Sequence, residues 1–226
     1  PRSTLFPYTT LFRSSYIDNL QEARKVLVRE FGGTLFTLAK DVKFQLEFNP
    51  LKVKSYRLIG YENRLLQDED FNDDRKDAGE MGAGHNVTAL YELVPAGAEE
   101  EAPSVDPLKY QKNETVKTVR GTYSDEYLTI KIRYKKPESS SSILFDRTVG
   151  GRVKSIDEAS ENLRFASAIA EFGMILRNSE FSGTATLNSA EELARAARGR
   201  DEDGYRAEMI RLIGTFRELK MLAGKE

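Results

Sequence analysis

The sequence predicts an α+β protein, with an antiparallel β-sheet or sandwich region followed by a C-terminal helical region. Two observations carry that reading. Between residues 41 and 146 the apolar side chains recur at every second position in short runs, as in strands with one covered and one wet face. From Ile156 onward the spacing lengthens to about 3.6 residues, the helical period. A block of strands and then a block of helices gives segregated layers, whereas alternating strands and helices would give a doubly wound sheet.

Composition sets the outer bounds. A chain of 226 residues holds one or two domains, and 39% hydrophobic with 31% charged residues excludes the low-hydrophobicity disordered class. No stretch reaches the roughly eighteen apolar residues of a membrane span, so direct membrane insertion of this segment is not expected. Acidic and basic residues are interspersed around a net charge of −2, without the basic stripe that binds a phosphate backbone, so nucleic acid is not an expected partner. The absence of Cys removes disulfides, thiolate metal sites and thiol nucleophiles together. His85 is the single histidine, so a catalytic triad would have to use it.

The first element is anomalous. "PRSTLFPYTTLFRS" has neither strand nor helix period, and one reading frame of a common short-read sequencing adapter encodes it residue for residue. Residues 1–14 are therefore expected to be an adapter artefact, with the natural start upstream, and are set aside from fold reasoning. Next, "SSYIDNLQEARKVLVREFGG" reads as a strand end and a helix. Asp18 or Asn19 caps it, Leu20, Ala23, Leu27 and Phe31 recur at helical spacing, and Gly32 with Gly33 supplies the stop.

The strands follow. In "DVKFQLEF", Val42, Phe44, Leu46 and Phe48 form the buried face and Lys43, Gln45 and Glu47 the wet one, with Asn49 and Pro50 ending the run. "VKSYRLIGYE", "HNVTALYELV" and "YLTIKIRYKK" are further strands, the last placing Leu128, Ile130, Ile132 and Tyr134 on one face, and "SILFD" is a short one. The polar insertions "QDEDFNDDRKDAGEMGAG" and "PAGAEEEAPSVDP" read as exposed loops. In the helical region, "SENLRFASAIAEFGMILRNS" is apolar around most of its circumference, with a small-residue stripe of Ala166, Ala170 and Gly173, and is expected to be central. "SAEELARAAR" is a shorter helix. "DGYRAEMIRLIGTFRELKML" places Tyr205, Met209, Leu212, Phe216 and Leu219 on one face.

The stretches "YIDNLQEARKVLVREFGGTLFTLAKDVKFQLEFNP", "YRLIGYENRLLQDEDFNDDRKDAGEMGAGHNVTALYELVP" and "LRFASAIAEFGMILRNSEFSG" resemble the C-terminal region of bacterial YfbK-like von Willebrand factor type A (VWA) proteins. The resemblance runs from Tyr16 to the last helix. It implies that residues 15–33 are the last strand and helix of a truncated VWA domain, a doubly wound α/β fold. Residues 34–226 would then be the C-terminal domain, a domain of unknown function that is mainly β over 34–150 and mainly α over 151–226. It further implies a bacterial cell-envelope protein, periplasmic or membrane-anchored. A VWA domain binds Mg²⁺ through an Asp-x-Ser-x-Ser loop, oxygen ligands suiting a hard cation. That motif is absent from this sequence, so no metal ligand and no cofactor is assigned to the fragment.

The remaining constellations are weaker than their structural readings. Asp68, Asp70 and Asn72 fit the first, third and fifth positions of a calcium loop, but Asp73 stands where Gly is needed and Gly79 where a bidentate Glu is needed. A solvated loop is the expectation. Gly79, Gly82 and Gly84 lack the dinucleotide-binding order and precede a strand, so they read as turn glycines. His85 lacks a nucleophile elbow to serve and is expected to make a structural hydrogen bond at a strand edge. The run from Ser139 to Ser142 reads as a flexible hinge, and the sequons at Asn86 and Asn113 as chance matches. The function expected is a non-enzymatic interaction or scaffold domain with an unknown protein partner. The alternative is a hydrolase or carboxylate-dependent enzyme built from Asp68, Asp70 or Glu80 with His85, which requires those groups to converge in one pocket.

Overall fold

The computed structural model describes residues 2–5, 16–31, 36–60, 65, 67–98, 123 and 125–223. The chain divides into compact units, Pro1–Gly151 and Arg152–Glu226. The first contains β1 (Arg2–Leu5), α1 (Leu20–Arg24), β2 (Thr37–Phe48), β3 (Val53–Ile59), β4 (Gly79–Gly82), β5 (Leu90–Pro95), β6 (Glu126–Lys135) and β7 (Ser142–Gly150). The second contains α2 (Glu161–Leu176), α3 (Leu187–Ala196) and α4 (Tyr205–Ala223). Every strand pair among the described residues is antiparallel, which with the helices gives the α+β class.

The larger sheet has the order β1-β2-β6-β7, with β4 also paired to β2, and β3 and β5 form a separate hairpin-like pair. Strand β4 lies along Thr37 to Val42 of β2, while β1 pairs Arg2 with Glu47 through Leu5 with Phe44. Residues 2–5 thus form a strand although they carry no strand period. An edge strand is held by main-chain hydrogen bonds and needs no side-chain pattern to pair.

The register of β2 against β6 sets the faces. Phe44, Leu46 and Phe48 stand opposite Ile132, Ile130 and Leu128, so the expected apolar face is assembled across the strands. Phe48 is buried and stacks on Tyr56 of β3 with ring centroids 4.2 Å apart, while Tyr91 of β5 lies 5.6 Å away. The expected wet face is different. Lys43 is 1% and Gln45 5% exposed, so both are core residues. The reason is a bulge: the register slips between Lys40 and Lys43, Asp41 takes a left-handed backbone (φ 50°), and a polar segment folds across the face beyond it.

Other boundaries shift for local reasons. The strand expected from His85 begins only at Leu90, and the glycines expected in a turn, Gly79 and Gly82, lie in β4. Strand β7 runs to Gly150, past the expected SILFD, because its pairing with β6 continues to Glu126. At Gly150 any Cβ would lie 2.5 Å from the Asp125 carbonyl oxygen, so the close approach admits no side chain. Of the run Ser139 to Ser142, Ser139 closes a tight turn by donating its amide to the Lys136 carbonyl, its hydroxyl donates to the Ser141 carbonyl, and Ser142 opens β7.

Asn19, one of the expected caps, caps α1 by accepting from the Glu22 amide, and the helix continues as a π-helical turn, Lys25–Arg29. Tyr16 to Asp18, expected as a strand end, are unpaired coil, since a parallel strand needs neighbours and every pairing among the described residues is antiparallel. The apolar face of this helix is open, with Leu20, Leu27, Val28 and Phe31 all exposed. The expected glycine stop at Gly32 and Gly33 and much of the PAGAEEEAPSVDP insertion lie outside the described residues.

In the helical unit the core joins Phe165, Ala168 and Phe172 of α2, Ala190 and Ala194 of α3 with Ala197 just beyond it, and Ile210 and Ile213 of α4. The helix on which the other two pack is therefore α3, whose alanines permit close approach, and not the longer α2. The stripe expected to do this on α2 does not: a Cβ at Gly173 would meet nothing within 4 Å. On α4, apolar residues occupy overlapping stripes, and packing on α3 selects Ile210 and Ile213 over Leu212 and Leu219, which stay exposed.

Candidate functional site

The acidic insertion is largely exposed, as expected, but it is anchored to the sheet through Phe71 and its main-chain carbonyls. Residues 67–78 form a strap across the Lys43 face of the sheet, opening with the 3₁₀ turn Asp68–Phe71. Phe71, the lone aromatic in the acidic run, is buried at 2% exposure, under the guanidinium of Arg133, which lies 5.5 Å from its ring centre. Arg133 is the cross-strand partner of Lys43, and Lys135 lies two residues further along β6. Strand period thus places three cations on one face beneath the acids.

Each cation has a defined use. Lys43 Nζ donates to the carbonyls of Asp70 and Asp73 at 3.0 and 2.6 Å. Burial pushes its amine below the ordinary lysine value, although Asp41, Asp74 and Asp73 pull the other way. Lys135 Nζ donates to Asp41 Oδ2 at 2.7 Å and to the Asp74 carbonyl at 2.6 Å, and the Asp41 bond raises its pKa. Asp41 Oδ1 accepts from the Ala78 amide, so the bulge residue holds the far end of the strap. Arg133 donates to Asn72 Oδ1 and to the Ser142 hydroxyl. Asp73 is held at about 2 by its side-chain and backbone hydrogen bonds from Arg75, and Asp74 is lowered mainly by Ser142. Burial raises the Tyr56 phenol, with the charge of Asp68 adding to it.

The residues of the enzymatic alternative are placed apart in role. Asp68 is exposed, Asp70 pairs with Lys76 at 3.4 Å, and Glu80 accepts from the Thr37 hydroxyl. His85 Nδ1 accepts from the Gly82 amide at 3.1 Å in a turn, a structural use of the ring. Among the described residues no three His, Asp or Glu side chains gather where a cation could sit. Chemically, the arrangement can clasp a loop. Its hydroxyl-carboxylate contacts, Ser142 with Asp74 and Thr37 with Glu80, lie in the clasp and in the β2-β4 pair and do not involve His85.

The other face is covered at β2, where Phe48 lies under Tyr56 and Tyr91, and opens toward β7. Ile143, Phe145 and Val149 of β7 stand opposite Tyr134, Ile132 and Leu128, extending the apolar face to the sheet's edge, and are 38, 50 and 40% exposed. This surface and the Lys43 clasp are features that periodicity alone did not reveal. Phe71, a single apolar residue in an acidic run, was the one available signal for the strap.

An antiparallel sheet with one clasped polar face and an apolar face open at β7, followed in the chain by a three-helix unit, defines an α+β architecture; among the described residues no helix is long and apolar enough to cross a membrane. Residues 33–219 match the family described as "Uncharacterized protein YfbK, C-terminal", and the chain belongs to it. It is similar to the Uncharacterized protein YfbK of Escherichia coli (strain K12), 43% identical over 199 residues, which cover 88% of this chain and 33% of that protein. The chain thus spans about a third of the relative's length. No solved structure matches.

Proposed function

We propose that this chain is a non-enzymatic protein-interaction domain, carried in the full-length protein by a VWA domain in the bacterial cell envelope. The observation that supports the reading is the open apolar face of β6 and β7, with Phe145 at its centre half exposed. Ile143 and Phe145, with Val149 beyond Arg147 on the same face, give an exposed apolar patch at the sheet's β7 edge, and such a patch marks a contact site. The dispersal of Asp68, Asp70, Glu80 and His85 into separate structural roles weighs against the hydrolase reading. Through the VWA domain, the full-length protein would add a Mg²⁺-dependent contact of its own.

The test uses envelope extract and four baits: this chain, the full-length parent, a parent lacking its metal-loop aspartate, and this chain with Phe145→Asp. Capture of the same protein by the chain and by the metal-loop variant, lost on Phe145→Asp while circular dichroism is unchanged, is the expected result. Equal capture by Phe145→Asp, or capture by the metal-competent parent alone, overturns the assignment of the contact to this face.

A further inference from the structure

The helical unit holds a cleft that the interaction reading does not use. Arg195 and Arg198 lie three residues apart at the end of α3, and Ala207, Ile210 and Arg211 share one face of α4 at helical spacing. These residues and Gly199 line a cleft of about 590 Å³, a size in the range of small-molecule sites. Its floor is apolar, with Ile210 5% exposed, and its walls carry guanidinium groups.

The backbone charges at this corner are already satisfied. The carbonyl end of α3 would repel an anion, but Arg206 Nη1 donates to the carbonyls of Ala197 and Arg198. The amides at the start of α4 are taken by Asp201, whose carboxylate accepts from Arg206 and Ala207. The positive character of the cleft therefore comes from its three arginines, opposed at the rim by the Glu161 carboxylate that lies against Gly199. Arg195 is pre-oriented: Nε and Nη2 donate to Oε1 of the buried Glu191 at 2.9 and 2.5 Å, leaving Nη1 unspent. Arg211 approaches Glu208 only at 3.5 Å, and the Arg198 guanidinium has no partner among the described residues. An unpaired guanidinium beside an oriented one, over an apolar floor, fits a tetrahedral dianion attached to a small apolar body.

We propose that this cleft binds a phosphate ester, its phosphoryl oxygens held by Arg195, Arg198 and Arg211 and its organic part resting on Ala207 and Ile210. Phenyl phosphate carries both features and is the probe, titrated into the whole chain and followed by amide chemical shifts. Saturable binding is expected, with shifts concentrated between residues 195 and 211, weaker binding of inorganic phosphate and none of phenol. Arg198→Gln and Arg211→Gln should each weaken phenyl phosphate about tenfold, the loss of one charge-assisted pair, without moving the melting temperature of the free protein. Arg200→Gln, a neighbouring charge paired with Glu202 outside the cleft, should bind as the parent does. The proposal is overturned by absence of saturation up to about 10 mM, by phenol binding as well as its phosphate, by unchanged affinity in Arg198→Gln, or by an equal loss in Arg200→Gln.

Discussion

Replacing Lys43 by Met separates the two things this lysine does. Met keeps most of the stem that fills the sheet face and removes the ammonium. The gain is relief of a charge buried at 1% exposure. The loss is the ammonium donor to two carbonyls, Asp70 at 3.0 Å and Asp73 at 2.6 Å, which keep only the longer main-chain bonds from the Asp73 and Lys76 amides at 3.3 and 3.2 Å, a loss of about 1 kcal/mol for each bond. Those carbonyls can reach water only if the strap lifts, which exposes Phe71 and forfeits about 2 kcal/mol of burial. The balance is a net loss of about 2 kcal/mol, expressed first as local opening of residues 68–76. Urea denaturation gives the global figure, and hydrogen exchange at Asn72 and Asp73, whose amides bond within the strap, gives the local one. The pH dependence adds a signature. Burial lowers the folded-state pKa of Lys43 below 10.5, so the unfolded chain binds the extra proton between the two values. The stability of the parent relative to Lys43→Met must therefore rise with pH across that window. A Lys43→Met variant as stable as the parent, with strap exchange unchanged, would refute the claim that the amine holds the strap.

The remaining predictions concern other parts of the chain. Asp73 has a folded pKa of about 2 against an ordinary 3.8, so the contribution of its bond to Arg75 is complete above 3.8 and lost as pH falls through about 2. Arg75→Ala should return the carboxyl toward its ordinary value in an NMR titration, and an unmoved midpoint contradicts the assignment. Glu191, 6% exposed, receives Arg195 on Oε1 and lies 2.5 Å from Arg217 Nη1 on Oε2, an ion pair without hydrogen-bond alignment. Glu191→Gln should cost about 2–3 kcal/mol in thermal or urea unfolding of the helical unit, and a loss under about 0.5 kcal/mol would show that the pairs contribute nothing net. Deleting residues 1–14 should speed amide exchange in β2 between Phe44 and Glu47, where β1 pairs, and leave the Lys43 strap protected. Deleting residues 1–33 also removes the exposed Leu20, Leu27, Val28 and Phe31, so that product should be at least as soluble; precipitation would make α1 integral to the sheet unit.

How far the sequence was legible depended on whether local pattern or long-range contact decided the outcome. Phe44, Leu46 and Phe48 against Ile132, Ile130 and Leu128 was readable because alternation forces those residues onto one side. The helices were readable within a few residues because Asn19, Ser160 and Thr186 cap by hydrogen bonds to residues three positions on. Lys43 was misread because its burial depends on a strap that begins more than twenty residues later. The Asp41 bulge was hidden for a different reason. Only its left-handed backbone betrays it, and Asp adopts that conformation at modest cost without a sequence signature. On α4, apolar residues in overlapping stripes left the choice between Ile210 and Leu212 to the alanines of α3.

The sheet covers both of its faces near β2 and leaves the apolar one exposed at β7. An antiparallel sheet ordinarily turns its apolar side to the core and leaves the charged side wet. Here the charged side, Lys43 with Arg133 and Lys135, is closed by its own acidic strap, while Phe145, Ile143 and Val149 on the apolar side remain substantially in water. Closing the charged side is not an economical way to gain stability, because a buried lysine must be desolvated and its hydrogen bonds mostly return that cost. The clasp instead fixes the bulge, which sets the register of β2 on β6 and hence which residues form the open face. Disturbing the clasp should therefore alter contacts made on the opposite side of the sheet. Lys43→Met combined with the capture assay distinguishes the cases: reduced capture with an intact Phe145 couples the faces, and undiminished capture shows that the strap serves stability alone.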